Sequence, residues 1–328
     1  LAALTRPYEV GGQAVTVGAS VGVGLYPHDA REPGELRRCA DLAMYRAKAA
    51  GKNTLRLFGE GEPAPAPAPE ETRLRGALER GDLSLVYQPQ FDATGRRIVA
   101  AEALLRWHDA ELGPVPPARF IPLAEASGLI VPVGAWVLDG ACRQLAAWRS
   151  QGWTGRVTVN VSPVQLTQPE FQEEVMRTLR RHGLRGEDLE LEITEGAVLE
   201  DARAASGHLA RLRGIGVRIA VDDFGMGHAA LLYLLAFPVH VLKIDRTFVQ
   251  GATLREHDRS LVQALVTFAR ALTLEIVAEG VETEEQRALM QGLGVDVVQG
   301  YLLDRPQSAG DLTPQLVGAG HVGAGGGE

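Results

Sequence analysis

The sequence is short of cysteine, lysine, long apolar runs and excess basic charge, and each shortage removes a class of protein. Its two cysteines, Cys39 and Cys142, lie far apart. They make neither a disulfide framework nor a zinc-binding pattern, and they suit a reducing compartment. The most apolar stretch, residues 229–242, contains Pro238 and His240 and is too short to span a bilayer. No signal-peptide pattern opens the chain. An initiating Met is missing too, so the chain reads as a piece of a longer protein. Lys and Arg total 33 against 41 Asp and Glu, a formal net charge of −8. That excludes a broad DNA-binding face but not a small nucleotide ligand. What remains is ordinary for a globular chain: 45% hydrophobic and 23% charged residues over 328 positions. Such a length suggests about two domains with a core that needs no staples.

Lysine occurs only at Lys48, Lys52 and Lys243; every other basic residue is Arg. A general bias toward Arg explains most surface positions. It makes Lys243 conspicuous, because a compact ammonium can fill a tight site that a planar, bulkier guanidinium cannot.

Along the chain, residues 59–70 include the run GEPAPAPAPE, whose alternating Pro favours an extended spacer. Residues 1–58 before it hold the strand-like AVTVGASVGVGLYP and a helical pattern with Leu36, Cys39, Leu42, Tyr45 and Ala49 on one face, stopped at Gly51. One helix is thin for an independent domain, which marks this part as a truncated one. Residues 311–328 read as a flexible Gly-rich tail. Between spacer and tail, residues 71–310 alternate. Strand-like runs fall at 83–89, 98–107, 157–162, 189–194, 217–223, 239–245, 274–280 and 295–300. Helical runs such as PARFIPLAEAS and PVGAWVLDGACRQLAAWRS intervene, and Thr167 to Glu170 and Thr283 to Gln286 fit capping boxes opening two more. Eight strands with interleaved helices in about 240 residues point to a (β/α)8 barrel. Only DATGRR joins the first two strands, too short for a crossover helix, so the first strand is expected to run antiparallel. An open doubly wound sheet is the rival, lowered by the lack of a G-x-G-x-x-G after any strand.

Barrel sites lie at the C-terminal ends of the strands. There the sequence offers Gln88, Glu102, Asn160, Glu192 with Glu195, Asp222 with Asp223, Lys243 with Asp245, Glu279 and Gln299. A single acid in such a place is usually a helix cap or a solvated loop residue, and Glu190 and Asp188 read as that kind. Several converging carboxylates are different, since buried anions repel unless a cation pairs them. One lysine cannot neutralise Glu102, Glu192, Asp222, Asp223 and Glu279. One or two divalent cations could, and oxygen donors without Cys or paired His suggest Mg²⁺ or Mn²⁺. A two-metal oxygen cluster suits phosphoryl chemistry. Asp222 and Asp223 would need a kink at the strand end to face one way, which DDFGMG can supply.

The same residues resemble the EAL domain, a family of cyclic di-GMP phosphodiesterases. Glu102-Ala103-Leu104 stands within AEALLRW. YQPQF, FIPLAEASGLI, VNVS, EITE, DDFGMG, LKIDRTFV, VAEGVET and VQGYLLDRP follow the family's order across residues 71–310. The resemblance implies a TIM-like barrel with a reversed first strand and metal-dependent hydrolysis of cyclic di-GMP to linear pGpG. It implies Glu102, Asn160, Glu192 and Asp222 as ligands of one Mg²⁺ or Mn²⁺, and Asp222, Asp223 and Glu279 around a second. It places Lys243 and Gln299 beside the attacking water, and Gln88, Leu104 and Arg106 on the substrate. Glu195 and Glu282 become supports for the loop after Asp223. That loop departs from the family's DFGTGYSSLSYL: here it reads DFGMGHAALLYL, with fewer hydrogen-bonding groups. A catalytically silent cyclic di-GMP receptor that signals to a partner is therefore the alternative. The resemblance further implies a homodimer through the barrel. VTVGASVGVGLYP and ADLAMYRAKAAGKN resemble the end of a GGDEF (diguanylate cyclase) domain whose signature is missing, so no cyclase activity is expected of residues 1–58. An intracellular ligand, the free cysteines and the missing signal peptide together imply a cytoplasmic location, whether alone or as the cytoplasmic part of a membrane-anchored protein.

Overall fold

The computed structural model describes residues 8–10, 13–15, 18–31, 33–49, 54–58, 69–194, 202–224 and 238–318. Two compact units emerge, residues 1–80 with 118–130, and residues 81–117 with 131–328.

In the first unit β1 (Tyr8–Val10) and β2 (Gln13–Val15) form an antiparallel pair. β3 (Val21–Val23) and β4 (Leu55–Leu57) form a parallel one. The helix expected near residue 36 is α1 (Pro33–Ala49). Buried Cys39, Ala43 and Ala47 repeat every four residues, as one helix face requires. The side chains of Leu42, Tyr45 and Ala49, and all of Gly51, lie outside the described residues. So does most of the expected spacer; its last residues, Pro69 and Glu70, open α2 (Pro69–Arg80), with Pro at a position that needs no amide donor. α3 (Pro117–Ser127) completes the unit.

The second unit is a closed eight-stranded barrel. β5 (Leu83–Asp92) pairs antiparallel with β6 (Ile98–Asp109), to which the short β7 (Gly113–Val115) adds a hairpin. Then follow α4 (Ile130–Ser150), β8 (Arg156–Asn160), α5 (Pro163–Leu166), α6 (Phe171–His182), β9 (Leu189–Thr194) and α7 (Ala202–Gly214). β10 (Arg218–Phe224), β11 (Val241–Ile244), α8 (Arg246–Leu254), α9 (Glu256–Ala271), β12 (Glu275–Ala278), α10 (Glu284–Leu293), β13 (Val297–Val298) and α11 (Ala309–Gly318) complete it. Strands β6, β8, β9, β10, β11, β12 and β13 run parallel in that order, and β13 closes on β5 in antiparallel register. The reversal of β5 follows from its connection. The chain turns at once after Asp92, with Gly95 at φ 72° in the left-handed region and the Asp92 amide bonded to Arg97 O.

Two expectations need correction. Thr167 does not open a helix: it caps the end of α5, whose start holds the real capping box, Ser162 with Gln165, with Pro163 at the first turn. α6 has Glu170 at its N-cap position and no side-chain cap. The stretch from residue 311 is not flexible throughout, because α11 runs to Gly318 and buries Leu312 and Leu316, an i, i+4 pair.

Ala220, Val241, Val277 and Val297 form one apolar cluster within the barrel. Side chains two positions apart on a strand face the same way. The next inward positions are therefore Asp222, Lys243, Glu279 and Gln299. The apolar layer thus carries a polar layer directly above it, at the C-terminal ends of the strands. The opposite mouth has its own charged ring. Glu190 is fully buried between Arg156 Nε and Arg218 Nε, each at 3.0 Å, and both arginines also reach Glu275. Glu190 is thus neither a cap nor solvated, whereas Asp188 does cap: its Oδ2 accepts from the Arg185 amide at 2.8 Å at the short turn Gly186–Asp188, while it is buried and pairs with Arg149. No helix among the described residues is long and apolar enough to cross a membrane.

Candidate active site

Lys243 sits on β11 with no exposed surface. Its Nζ lies 2.5 Å from Glu279 Oε1, 2.6 Å from Glu192 Oε2 and 3.4 Å from Asp222 Oδ2. Burial alone would favour the neutral amine, but the charges of Asp222, Glu102, Glu192 and Glu279 outweigh it and hold the ammonium well above the ordinary lysine range. The surrounding acids thus favour the charged form of Lys243.

Glu102, on β6, accepts from Asn160 Nδ2 at 2.8 Å and from Gln299 Nε2 at 2.6 Å. Its burial pushes the carboxyl up, but Lys243 and these hydrogen bonds, with one from Glu192, prevail and hold it below the usual range. Glu192 moves the other way. Burial and the Glu102 charge beside it push its carboxyl well above normal, against the pull of Lys243. Neighbouring buried carboxyls oppose each other's ionisation in this manner. Burial likewise pushes Glu279 up to about 8, with Lys243 opposing and Asp222 and Glu102 adding to the rise.

These groups open into a cavity of about 210 Å³ lined by Gln88, Glu102, Asp222, Arg246, Glu279, Gly280, Glu282, Gln299, Gly300 and Tyr301. Gly280 has φ 64°, and a Cβ there would lie 2.3 Å from Arg246 Cβ, so only glycine lets Arg246 stand this close to the end of β12. Gln88, Glu102, Asn160, Glu192, Asp222, Lys243, Glu279 and Gln299 are thus gathered at one end of the barrel. Leu104 and Arg106 are not among the lining residues: they lie farther out along β6, and Arg106 Nη1 bonds Leu105 O. Glu282 is exposed and lines the cavity, with Gln250 Nε2 at 3.4 Å. Asp223 lies on β10, where the ladder with β11 shifts register between Val221 and Phe224; its side chain, Glu195 and the loop from residue 225 lie outside the described residues. Sequence reasoning missed Arg246, the first residue of α8, and Tyr301, in the turn just beyond Gln299. It also missed Gln90, buried beneath Gln88.

The donor chemistry fits hard divalent cations. Every candidate ligand offers oxygen, acids outnumber the one lysine, and buried Glu192 Oε1 meets no hydrogen-bond donor. Among the described residues no group of His, Cys, Asp and Glu is arranged to hold an ion as it stands; three of the acids are drawn onto the Lys243 ammonium instead.

The chain is 41% identical over 315 residues to the bifunctional diguanylate cyclase/cyclic di-GMP phosphodiesterase MucR of Pseudomonas aeruginosa, and 34% identical over 311 residues to the cyclic di-GMP phosphodiesterase PdeR of Escherichia coli. Each match takes in 94% of the chain, but the chain spans only about half of those relatives, 46% of MucR and 47% of PdeR. A solved structure of PaMucR phosphodiesterase in complex with c-di-GMP superposes with a TM-score of 0.71 at 43% identity, covering 74% of this chain and 98% of that one. The EAL domain of Mycobacterium smegmatis DcpA matches at 34% identity and a TM-score of 0.63, covering 73% of this chain and 97% of its own. The GGDEF domain of diguanylate cyclases matches residues 1–54 and the EAL domain matches residues 71–306, most of the sequence: the chain belongs to the EAL domain family.

Proposed function

We propose that the barrel hydrolyses cyclic di-GMP to linear pGpG, using two divalent cations, Mg²⁺ or Mn²⁺. The observation that carries this reading is the buried Lys243 ammonium set among more carboxylates than it can neutralise, at the end of the barrel that opens into a cavity. The names of MucR and PdeR and the ligand of the PaMucR structure support the choice of substrate.

Glu102, Asn160, Glu192 and Asp222 would hold one cation, and Asp222, Asp223 and Glu279 the other. Bound there, such ions supply Lewis-acid polarisation of a phosphodiester and ease the deprotonation of water. The chain's own groups do the rest. Lys243 Nζ keeps its proton and offers a fixed positive charge to the oxygens that become more negative as water attacks phosphorus. Glu279 lines the cavity and is placed to take the water proton. Water adds to phosphorus, one P–O ester bond breaks, and the leaving sugar oxygen takes up the proton that Glu279 received. Gln299 and Asn160 hold Glu102 in place. About 210 Å³ is less than the ~300–1,000 Å³ of most whole-ligand pockets. The cavity therefore takes the reacting phosphodiester, and the outer β6 positions Leu104 and Arg106 meet the rest of the dinucleotide, Arg106 through its guanidinium. A homodimer through the barrel belongs to the same reading and would show in sedimentation.

Product analysis tests the reaction. Cyclic di-GMP is incubated with the wild-type protein and with Glu102→Ala, in Mg²⁺, Mn²⁺ or chelator. Metal-dependent pGpG from the wild type, and none from a folded Glu102→Ala, is the expected result. Intact substrate bound tightly even in chelator would replace the enzyme with a receptor.

A further inference from the structure

Gln90 is completely buried, on a strand that otherwise fills the barrel interior. It stands two positions from Gln88 on β5, so both side chains face inward. Because β5 runs backward, Gln90 is the deeper of the two. Its Nε2 donates to Gln299 Oε1 at 2.8 Å, and Gln299 Nε2 donates to Glu102 Oε2 at 2.6 Å. Its own Oε1 meets no donor. An unmet buried acceptor costs at least as much as one neutral hydrogen bond returns, so an apolar side chain of this size would serve folding equally well. The gain falls on Gln299. A glutamine can turn either its oxygen or its NH₂ toward a neighbour. The bond from Gln90 engages the Gln299 oxygen and leaves the NH₂ facing Glu102.

The geometry points to Gln90 as a positioning residue that fixes the Gln299 amide against Glu102, and so sets the Glu102 carboxylate for the cation it would hold. This rests on the proposed function only in taking Glu102 as a cation ligand. The hydrogen bond to Gln299 Oε1 is the route by which Gln90 acts on Glu102.

A double-variant cycle of Gln90→Leu and Gln299→Leu tests it, read by melting temperature, by the Mn²⁺ dissociation constant from titration calorimetry, and by kcat and KM for cyclic di-GMP. Gln90→Leu is expected to melt no lower than wild type, to bind Mn²⁺ about tenfold more weakly, and to lower kcat about tenfold with little change in KM. Added to Gln299→Leu, it should change the Mn²⁺ constant no further, because the path is already cut. Unchanged Mn²⁺ affinity in Gln90→Leu would overturn the inference. So would effects that simply add in the double variant, or a fall in melting temperature that accounts for the loss. A wild type that binds Mn²⁺ but leaves cyclic di-GMP intact would sink the proposed reaction alone, since the Mn²⁺ cycle still reads the path. A wild type that binds no Mn²⁺ would overturn both.

Discussion

Exchanging Lys243 for Met keeps the length of the side chain and removes only the charge. Three carboxylate oxygens within 3.4 Å then lose their cation inside the barrel. Breaking a buried ion pair from one side costs about 3–5 kcal/mol. The lower part of that range applies, because the carboxyls of Glu192 and Glu279 are already pushed up and take protons readily. A loss of about 3 kcal/mol in a domain of this size lowers the melting temperature by roughly 6–12 °C. The assay is thermal and urea unfolding of Lys243→Met beside wild type, in chelator at pH 7. Acidification to pH 5 should narrow the gap, since protonation relieves the unpaired anions. Mn²⁺ should narrow it as well, by binding the folded state alone. Melting within 1 °C of wild type in chelator, or a gap that widens on acidification, would refute the description of Lys243 as the counter-charge of this cluster.

Three further outcomes are expected. Glu279 titrates at about 8 when folded against 4.5 in the unfolded chain, so the stability it contributes is complete below about pH 4.5 and drains as the pH rises toward 8. In chelator, wild type should therefore lose stability relative to Glu279→Gln across that window; a relative gain would contradict it. At the other mouth, Glu190→Gln should cost about 3 kcal/mol in urea unfolding while leaving kcat unchanged, because it strips Arg156 and Arg218 of a buried partner far from the cavity. A fall in kcat at unaltered stability would show that this ring belongs to the chemistry. Cys39 and Cys142 are both buried, and burial pushes the Cys142 thiol up to about 12. Neither should react with a disulfide reagent until urea unfolds the chain, and prompt reaction of the native protein would show that one of them is accessible.

The barrel was legible because its signals are local. Strand and helix periods alternate, the short DATGRR connection forces β5 to reverse, and Thr283 with Gln286 caps α10 as its spacing predicts. The other capping prediction failed for an instructive reason. Thr167–Glu170 and Ser162–Gln165 offer the same spacing, and Pro163 favours the earlier one, which leaves Thr167 to end that turn. At the site, Asp222, Lys243, Glu279 and Gln299 each follow an apolar inward residue by two positions, a pattern one strand at a time can show. Gln90 escaped because the strand ends were all read in one direction, and on a reversed strand the later residue lies deeper. Glu190 escaped because its partners come from β8 and β10, and no single strand reveals that a lone acid has two arginines waiting for it.

The reversal of β5 also decides which end of the barrel each terminus serves. In a barrel of uniformly parallel strands the chain arrives at the base. Here Leu83 pairs with Trp107, near the far end of β6, and the His108 amide bonds Asp82 O, so the chain enters at the mouth that holds Lys243. α11 leaves at the other: Gln315 and Leu316 lie with Gly155, Arg156 and Glu275, where strands begin. A fusion engineer thus has two unlike handles. A reporter joined directly to Gly81 meets the barrel at the mouth that holds Lys243, whereas one joined directly to Gly318 meets it at the base.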